Sequence, residues 1–204
     1  MGFGFWEYLH LKKCNMKLNN RYFLLRHGEA KSNVLNMVSC FPETFYDSLT
    51  NKGIKQVRAI AKEIETKKID LIFSSDVLRT KQTAEIIANK INQKIRYDKR
   101  LREYNFGEMN GTFFREYCIF FPNSKKRFIQ KPKDGENYKE ITNRMWSFFT
   151  EINNNYNNKN ILVIGHQAPI SLLLGKIYNL SQDQIFKKYF GNKRIKNAQL
   201  IEIK

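Results

Sequence analysis

Three short polar clusters hold the residues best equipped for chemistry in this chain. They are Arg26-His27-Gly28-Glu29, Ser74-Ser75-Asp76 running on to Arg79, and Gly165-His166. A fourth candidate, Glu103, stands between the second and the third. Neutral imidazole is a good nucleophile near pH 7, guanidinium forks match the oxygens of a phosphoryl group, and a carboxylic acid can protonate a departing oxygen. Two histidines, two arginines and an acid are therefore the parts that phosphoryl transfer needs. Singly, each has an ordinary reading as well. His27 could be a surface loop histidine, Arg79 part of a solvated helix face, and His166 a satisfied histidine under a sheet edge. Glu103 could be a commonplace acid after a strand.

The elements that must position these clusters follow from periodicity. Tyr22–Leu25, Leu71–Phe73 and Ile161–Ile164 are short apolar runs that read as buried strands, and each ends in one of the clusters. Residues 51–66 carry a helical stripe with Thr50 as N-cap. A second helix is expected from Val77 to Asn92, capped by Asp76 or Ser75, a third over 137–153, and a fourth from Gly165-His166 through Ile177. Ile95–Tyr97 and Gln199–Ile203 read as further strands. Strand–helix alternation implies α/β architecture, a three-layer sandwich with a mostly parallel sheet. Ligands bind at the carboxyl ends of such strands, so clusters about 50 and 90 residues apart can meet in one pocket. Residues 1–20, with Phe3, Phe5, Trp6, Tyr8 and Leu9 ahead of Lys12-Lys13, read as an appendage to a domain over 21–204.

The chain has 204 residues, enough for one domain with a self-sufficient core. With 42% hydrophobic and 27% charged residues it is neither disordered nor fibrous. No apolar run approaches the roughly 20 residues of a spanning helix, so no membrane association is expected. Cys14, Cys40 and Cys118 are odd in number and form no CxxC, so neither a disulfide framework nor a metal site is expected, and a cytoplasmic setting fits. The net charge of +17 favours anionic partners. Yet Lys outnumbers Arg 25 to 11 amid abundant Asn, which reads as compositional drift rather than a nucleic-acid surface.

Arg26-His27-Gly28-Glu29-Ala30 resembles the signature of the histidine phosphatase (phosphoglycerate mutase-like) superfamily. The likeness extends from Tyr22 to Ile203. Asp47-Ser48-Leu49-Thr50 with Gly53 and Gln56, Ser74-Ser75-Asp76 with Arg79-Thr80 and Gln82-Thr83-Ala84, Leu101-Arg102-Glu103 with Phe106-Gly107-Glu108, and Gly135-Glu136-Asn137 all resemble the family's motifs, in order. The resemblance implies a phosphoglycerate mutase-like fold and a phosphomonoester hydrolase without cofactor or metal, acting on a small phosphorylated metabolite. It further implies that His27 becomes a phosphohistidine, that Arg26 and Arg79 clamp the phosphoryl oxygens, that His166 is a second phosphate donor, charged while substrate is bound, and that Glu103 is the proton donor. Asn33 and Gln167 are softer phosphate contacts on this reading, and Asn33 is equally a cap of the following turn. Asp47, Thr50 and Asp76 read as caps.

Gln167 stands where many members have Gly, and His166-Gln167-Ala168 with Pro132–Tyr138 looks most like the domain that hydrolyses fructose 2,6-bisphosphate. The rival readings are a mutase, which returns the phosphoryl group to a second oxygen, and a non-catalytic basic binding module. The oligomeric state is left open. One stretch stands apart in composition: Phe113, Phe114, Tyr117, Phe120 and Phe121 precede Lys125, Lys126, Arg127, Lys131 and Lys133. It reads either as a helix with solvated lysines or as a lid whose cations contact a second phosphate or carboxylate on the substrate.

Overall fold

The computed structural model describes residues 17–203. Strand β1 (Arg21–Arg26) leads through the short helix α1 (Lys31–Leu35) to α2 (Asn51–Glu65), β2 (Leu71–Ser74), α3 (Leu78–Ile91) and β3 (Ile95–Tyr97). Then come α4 (Phe114–Phe120), α5 (Tyr138–Asn155), β4 (Asn160–Gly165), α6 (Gln167–Ile177), α7 (Gln182–Tyr189) and β5 (Leu200–Glu202). The strands form one sheet in the order β3-β2-β4-β1-β5. All pairings are parallel except that of β5 with β1. This is the expected mostly parallel α/β sandwich.

The pleat sorts the strand residues between two cores. Phe23, Leu25, Ile72, Leu162 and Ile164 join the buried faces of α2 and α3. Tyr22, Leu24, Phe73, Ile161 and Val163 face the other way, onto α5 and α6. With both faces covered, the central strands are continuous apolar runs, which is why the sequence shows them so clearly.

Helix α2 starts as expected, with Thr50 Oγ1 accepting from the Gly53 amide at 3.0 Å. Of the two residues weighed as caps of α3, Ser75 takes that part, its Oγ accepting from the Val77 amide at 3.4 Å. Helix α3 is not capped by the Asp76 side chain. Asp76 forms a bidentate pair with Arg102 at 2.6 Å on each arm, while Glu43 Oε2, brought in from a distant loop, accepts from the Leu78 amide at 3.2 Å. Most of the expected N-terminal appendage, residues 1–16, lies outside the described residues. Lys17 and Asn19 hydrogen-bond to Asn153 near the end of α5, and Asn20 donates to the Tyr156 carbonyl. The packed chain thus includes residues 17–20.

Candidate active site

Register alone brings the clusters together. Arg26 pairs with Gly165 and Ser74 with Ile164, so β1, β4 and β2 end side by side and His27, His166 and Ser75 follow at one edge. A cavity of about 570 Å³ lies there, lined by Arg26, His27, Asn33, Arg79, Glu103 and Gln167 among others. Six of the seven expected site residues therefore share one cavity wall. The seventh, His166, is fully buried and off that wall, with its ring 5.2 Å from the His27 ring.

His27 is held in one useful form. Its Nδ1 lies 2.7 Å from the Gly28 carbonyl oxygen, which can only accept, so the proton sits on Nδ1 and the lone pair on Nε2. Burial, reinforced by the charges of Arg79 and Arg26, holds its pKa well below 6.5. The imidazole is therefore neutral, with Nε2 available as a nucleophile. The Arg79 Nε–H donates to that nitrogen at 3.3 Å.

The motif residues around this loop act as its mould. The Gly28 amide donates to Thr83 Oγ1, the Glu29 amide to Gln56 Oε1, and the Leu49 amide to Gln82 Oε1. Thr50 Oγ1 also donates to Glu29 Oε1. Gly53 lies so close to this loop that a Cβ there would sit 2.0 Å from the Glu29 carbonyl oxygen, so only glycine fits.

Arg79 is buried in the first turn of α3, where the helix dipole disfavours a cation. Its compensation is Asp47, fully buried, whose Oδ2 accepts from Nη1 at 2.9 Å while Oδ1 accepts from the Ser32 amide. Ser39 takes two further N–H groups, through its hydroxyl and its carbonyl. Asp47 is thus both the anchor of the arginine and, through the Ser32 amide in the first turn of α1, a cap as expected. Asp47→Ala should destabilise the fold by about 3–5 kcal/mol, since it strands a buried charge. Denaturant unfolding measures this; a loss below about 1 kcal/mol would show that Glu43, 3.9 Å from Nη1, suffices alone.

Arg26 is nearly saturated by burial but not by bonds. Nη1 donates to the Ile195 carbonyl at 2.6 Å, Nε has no partner, and desolvation draws the pKa down to about 10. Its remaining N–H groups are therefore available to a ligand. His166 shares a 3.0 Å hydrogen bond through Nε2 with Ser75 Oγ, and its buried Nδ1 is unpartnered. Burial first, then Arg79, depresses its pKa well below 6.5, so here it is neutral. Burial raises the pKa of Glu103 above 4.5, although the Tyr104 amide donates to Oε1 at 2.9 Å.

The two softer contacts behave differently. Asn33 caps its turn, Oδ1 accepting from the Ala30 amide at 3.0 Å and from Asn197 Nδ2 at 2.9 Å, yet it also faces the cavity. Gln167 Nε2 donates to the Tyr189 carbonyl at 2.7 Å and to Ser171 Oγ, so this side chain ties α6 to α7. What it leaves for an anion is its main-chain amide at the start of α6.

A family model described as histidine phosphatase superfamily, branch 1, matches residues 22–202. The chain belongs to that superfamily. It is a phosphatase. Phosphoserine phosphatase 1 of Hydrogenobacter thermophilus is 26% identical over 155 residues, covering 74% of this chain and 72% of the relative. The fructose-2,6-bisphosphatase TIGAR of Xenopus tropicalis is 32% identical over 134 residues, 62% of this chain and 47% of that protein. Among solved structures, Bacillus stearothermophilus YhfR superposes with a TM-score of 0.79 at 23% identity over 91% of each chain.

The sequence reading of this histidine phosphatase missed several members of the site. Glu136 binds Arg144 through both oxygens, at 2.7 and 2.9 Å, and Arg144 donates to the carbonyls of Arg100, Arg102 and Glu103. That pair holds the loop carrying Glu103, and Gly135-Glu136-Asn137 was its only trace in the sequence. Ser39 and Asn197, the latter donating to the His27 carbonyl at 3.3 Å, left no trace there. Among the described residues no group of three or more His, Cys, Asp or Glu side chains is arranged to hold a metal ion, and no helix is long and apolar enough to cross a membrane.

Proposed function

We propose that this phosphatase removes the phosphoryl group from a small phosphorylated metabolite by way of a phosphohistidine at His27, without a metal ion, in the cytoplasm. The observation that carries the reading is the state of His27: buried, neutral, with Nδ1 committed to the Gly28 carbonyl and Nε2 facing the arginines.

In the first step the Nε2 lone pair attacks phosphorus and the bond from phosphorus to the ester oxygen breaks. Glu103, whose raised pKa favours the carboxylic acid, gives its proton to the leaving oxygen. In the second step Glu103, now a carboxylate, takes a proton from a water molecule that attacks phosphorus. The N–P bond breaks, its electron pair returns to Nε2, and phosphate leaves. Arg26 and Arg79 offset charge on the phosphoryl oxygens. The unpartnered Nδ1 of His166, the Asn33 amide group and the main-chain amide of Gln167 complete the donor set. Substrates of the size named by the relatives, phosphoserine and fructose 2,6-bisphosphate, suit a cavity of about 570 Å³.

Four arginines line the cavity (Arg26, Arg79, Arg127 and Arg194) against the one acid Glu103, so the protein supplies the positive charge that a metal would otherwise bring. Release of phosphate from a panel of phosphorylated metabolites should therefore survive dialysis against EDTA. Loss of activity restored by Mg²⁺ would sink the metal-free mechanism.

A further inference from the structure

Ser75 stands at the edge of the site, yet no step of the proposed reaction uses it. Its main chain is fixed from two sides. The amide donates to the Ile164 carbonyl of β4 at 3.0 Å, and the carbonyl accepts from the hydroxyls of Ser74 at 2.9 Å and Thr80 at 3.0 Å. The residue is fully buried. Its Oγ is therefore held in a rigid place, 3.0 Å from His166 Nε2 and 3.4 Å from the Val77 amide nitrogen.

The donors and acceptors around Oγ decide which way its hydrogen bond to His166 runs. Burial, then the charge of Arg79, keeps the His166 ring neutral, so one ring nitrogen carries a proton and the other a lone pair. The Val77 amide can only donate, so it occupies a lone pair of Oγ and leaves the Ser75 proton to find an acceptor. Among the described residues, His166 Nε2 is the acceptor that proton reaches. With the imidazole proton on Nε2, the Ser75 proton and the Nδ1 lone pair would both be buried without partners. With the proton on Nδ1, a single N–H is left over. Each further buried polar group left unpaired costs stability, so the arrangement favours Nδ1–H.

We propose that Ser75 is a positioning residue that holds the His166 proton on Nδ1, where it serves as a hydrogen-bond donor to the phosphoryl oxygens. His166 adjoins the nucleophile, with ring centres 5.2 Å apart, and Nδ1 is its nitrogen without a protein partner. This rests on the phosphohistidine reading of His27, and it gives the second serine of Ser74-Ser75-Asp76 a part that reaches phosphate through another side chain. The two histidines are then set to the same tautomer by opposite means. A carbonyl accepts from Nδ1 of His27, and a hydroxyl donates to Nε2 of His166. Losing one hydrogen bond to a charged ligand implies a loss of about 10- to 100-fold in phosphate affinity.

Two measurements on the full chain test it. Nitrogen NMR of protein labelled in its three histidines distinguishes a protonated ring nitrogen from one bearing a lone pair. The His166 signals, assigned by their loss in His166→Ala, should show a protonated Nδ1 and a bare Nε2 in the unmodified protein. In Ser75→Ala the Nδ1–H population should fall. A protonated Nε2 in the unmodified protein overturns the proposal, and that reading does not require the serine variant to fold. The second measurement is a double-mutant cycle read by calorimetric binding of inorganic phosphate. Ser75→Ala should weaken binding by at least about tenfold in the otherwise unmodified chain, and by less than about threefold in a chain carrying His166→Ala, because the serine acts through that histidine. No loss in the first background, or equal losses in both, would place the serine in the packing at the start of α3 and overturn the role. Hydrolysis of p-nitrophenyl phosphate by the unmodified protein is scored separately. Its absence would overturn the phosphohistidine reading, whereas the tautomer of His166 is still decided by the spectrum.

Discussion

His27→Ala should reduce phosphate release by about 10⁴-fold or more, because it removes the nucleophile of the proposed mechanism. No neighbour can take over. Nε2 of His166 is engaged with Ser75, and Cys40, whose Sγ lies 3.7 Å from Asn105 Oδ1 on the loop of Glu103, has its pKa pushed up to about 11 by burial, so it stays a thiol. On unmodified protein, rapid quenching during turnover should trap acid-labile phosphate on one histidine. Tryptic mapping should place it on the peptide carrying His27. Phosphate on any other residue, or full activity of the alanine variant, would end the proposed mechanism. Because the folded state keeps both His27 and His166 neutral, the unfolded chain binds more protons below pH 6.5. Stability contributed by that neutrality is present above pH 6.5 and is lost as the pH falls, so the quench is best done in denaturant rather than by mild acid alone.

The second large effect belongs to Glu103. Glu103→Gln keeps the shape and removes the transferable proton, a role worth about 10²–10⁴-fold. The loss should be near the upper end for alkyl phosphates and small for p-nitrophenyl phosphate, whose leaving oxygen departs without protonation. The pH profile gives an independent check. Burial lifts the pKa of Glu103 above 4.5, so the acid form needed for the first step persists to higher pH than in a free carboxyl and is lost as pH rises beyond it. The depressed pKa of His27 keeps the nucleophile neutral well below pH 6.5. With alkyl phosphates, kcat/KM should therefore peak on the acid side of neutrality, and Glu103→Gln should flatten its alkaline fall. Equal losses on both kinds of substrate, with an unchanged profile, would remove Glu103 from this role. Glu136 and Arg144, which hold its loop, are positioning residues whose loss should lower the rate without moving the profile.

What the chain declares without its fold is the sheet, its principal helices and the edge where chemistry gathers. Buried parallel strands need long apolar runs, and helices need stripes and caps. Tyr22–Leu25, Ile161–Ile164 and Thr50 therefore announce themselves locally, and His27, Arg79 and His166 follow at the strand ends. The tertiary structure alone decided which partner each polar side chain took. Asp47 neutralises Arg79 across 32 residues, Asp76 pairs with Arg102, and Gln167 gives its side-chain N–H to the Tyr189 carbonyl. These choices compare competing partners brought within about 3 Å by packing, a comparison that spacing along the chain does not contain. The same holds for the run Lys125-Lys126-Arg127, three cations of one sign in sequence. Only the turn of the 3-10 segment beneath Tyr117 leaves two in water and buries the third against the cavity.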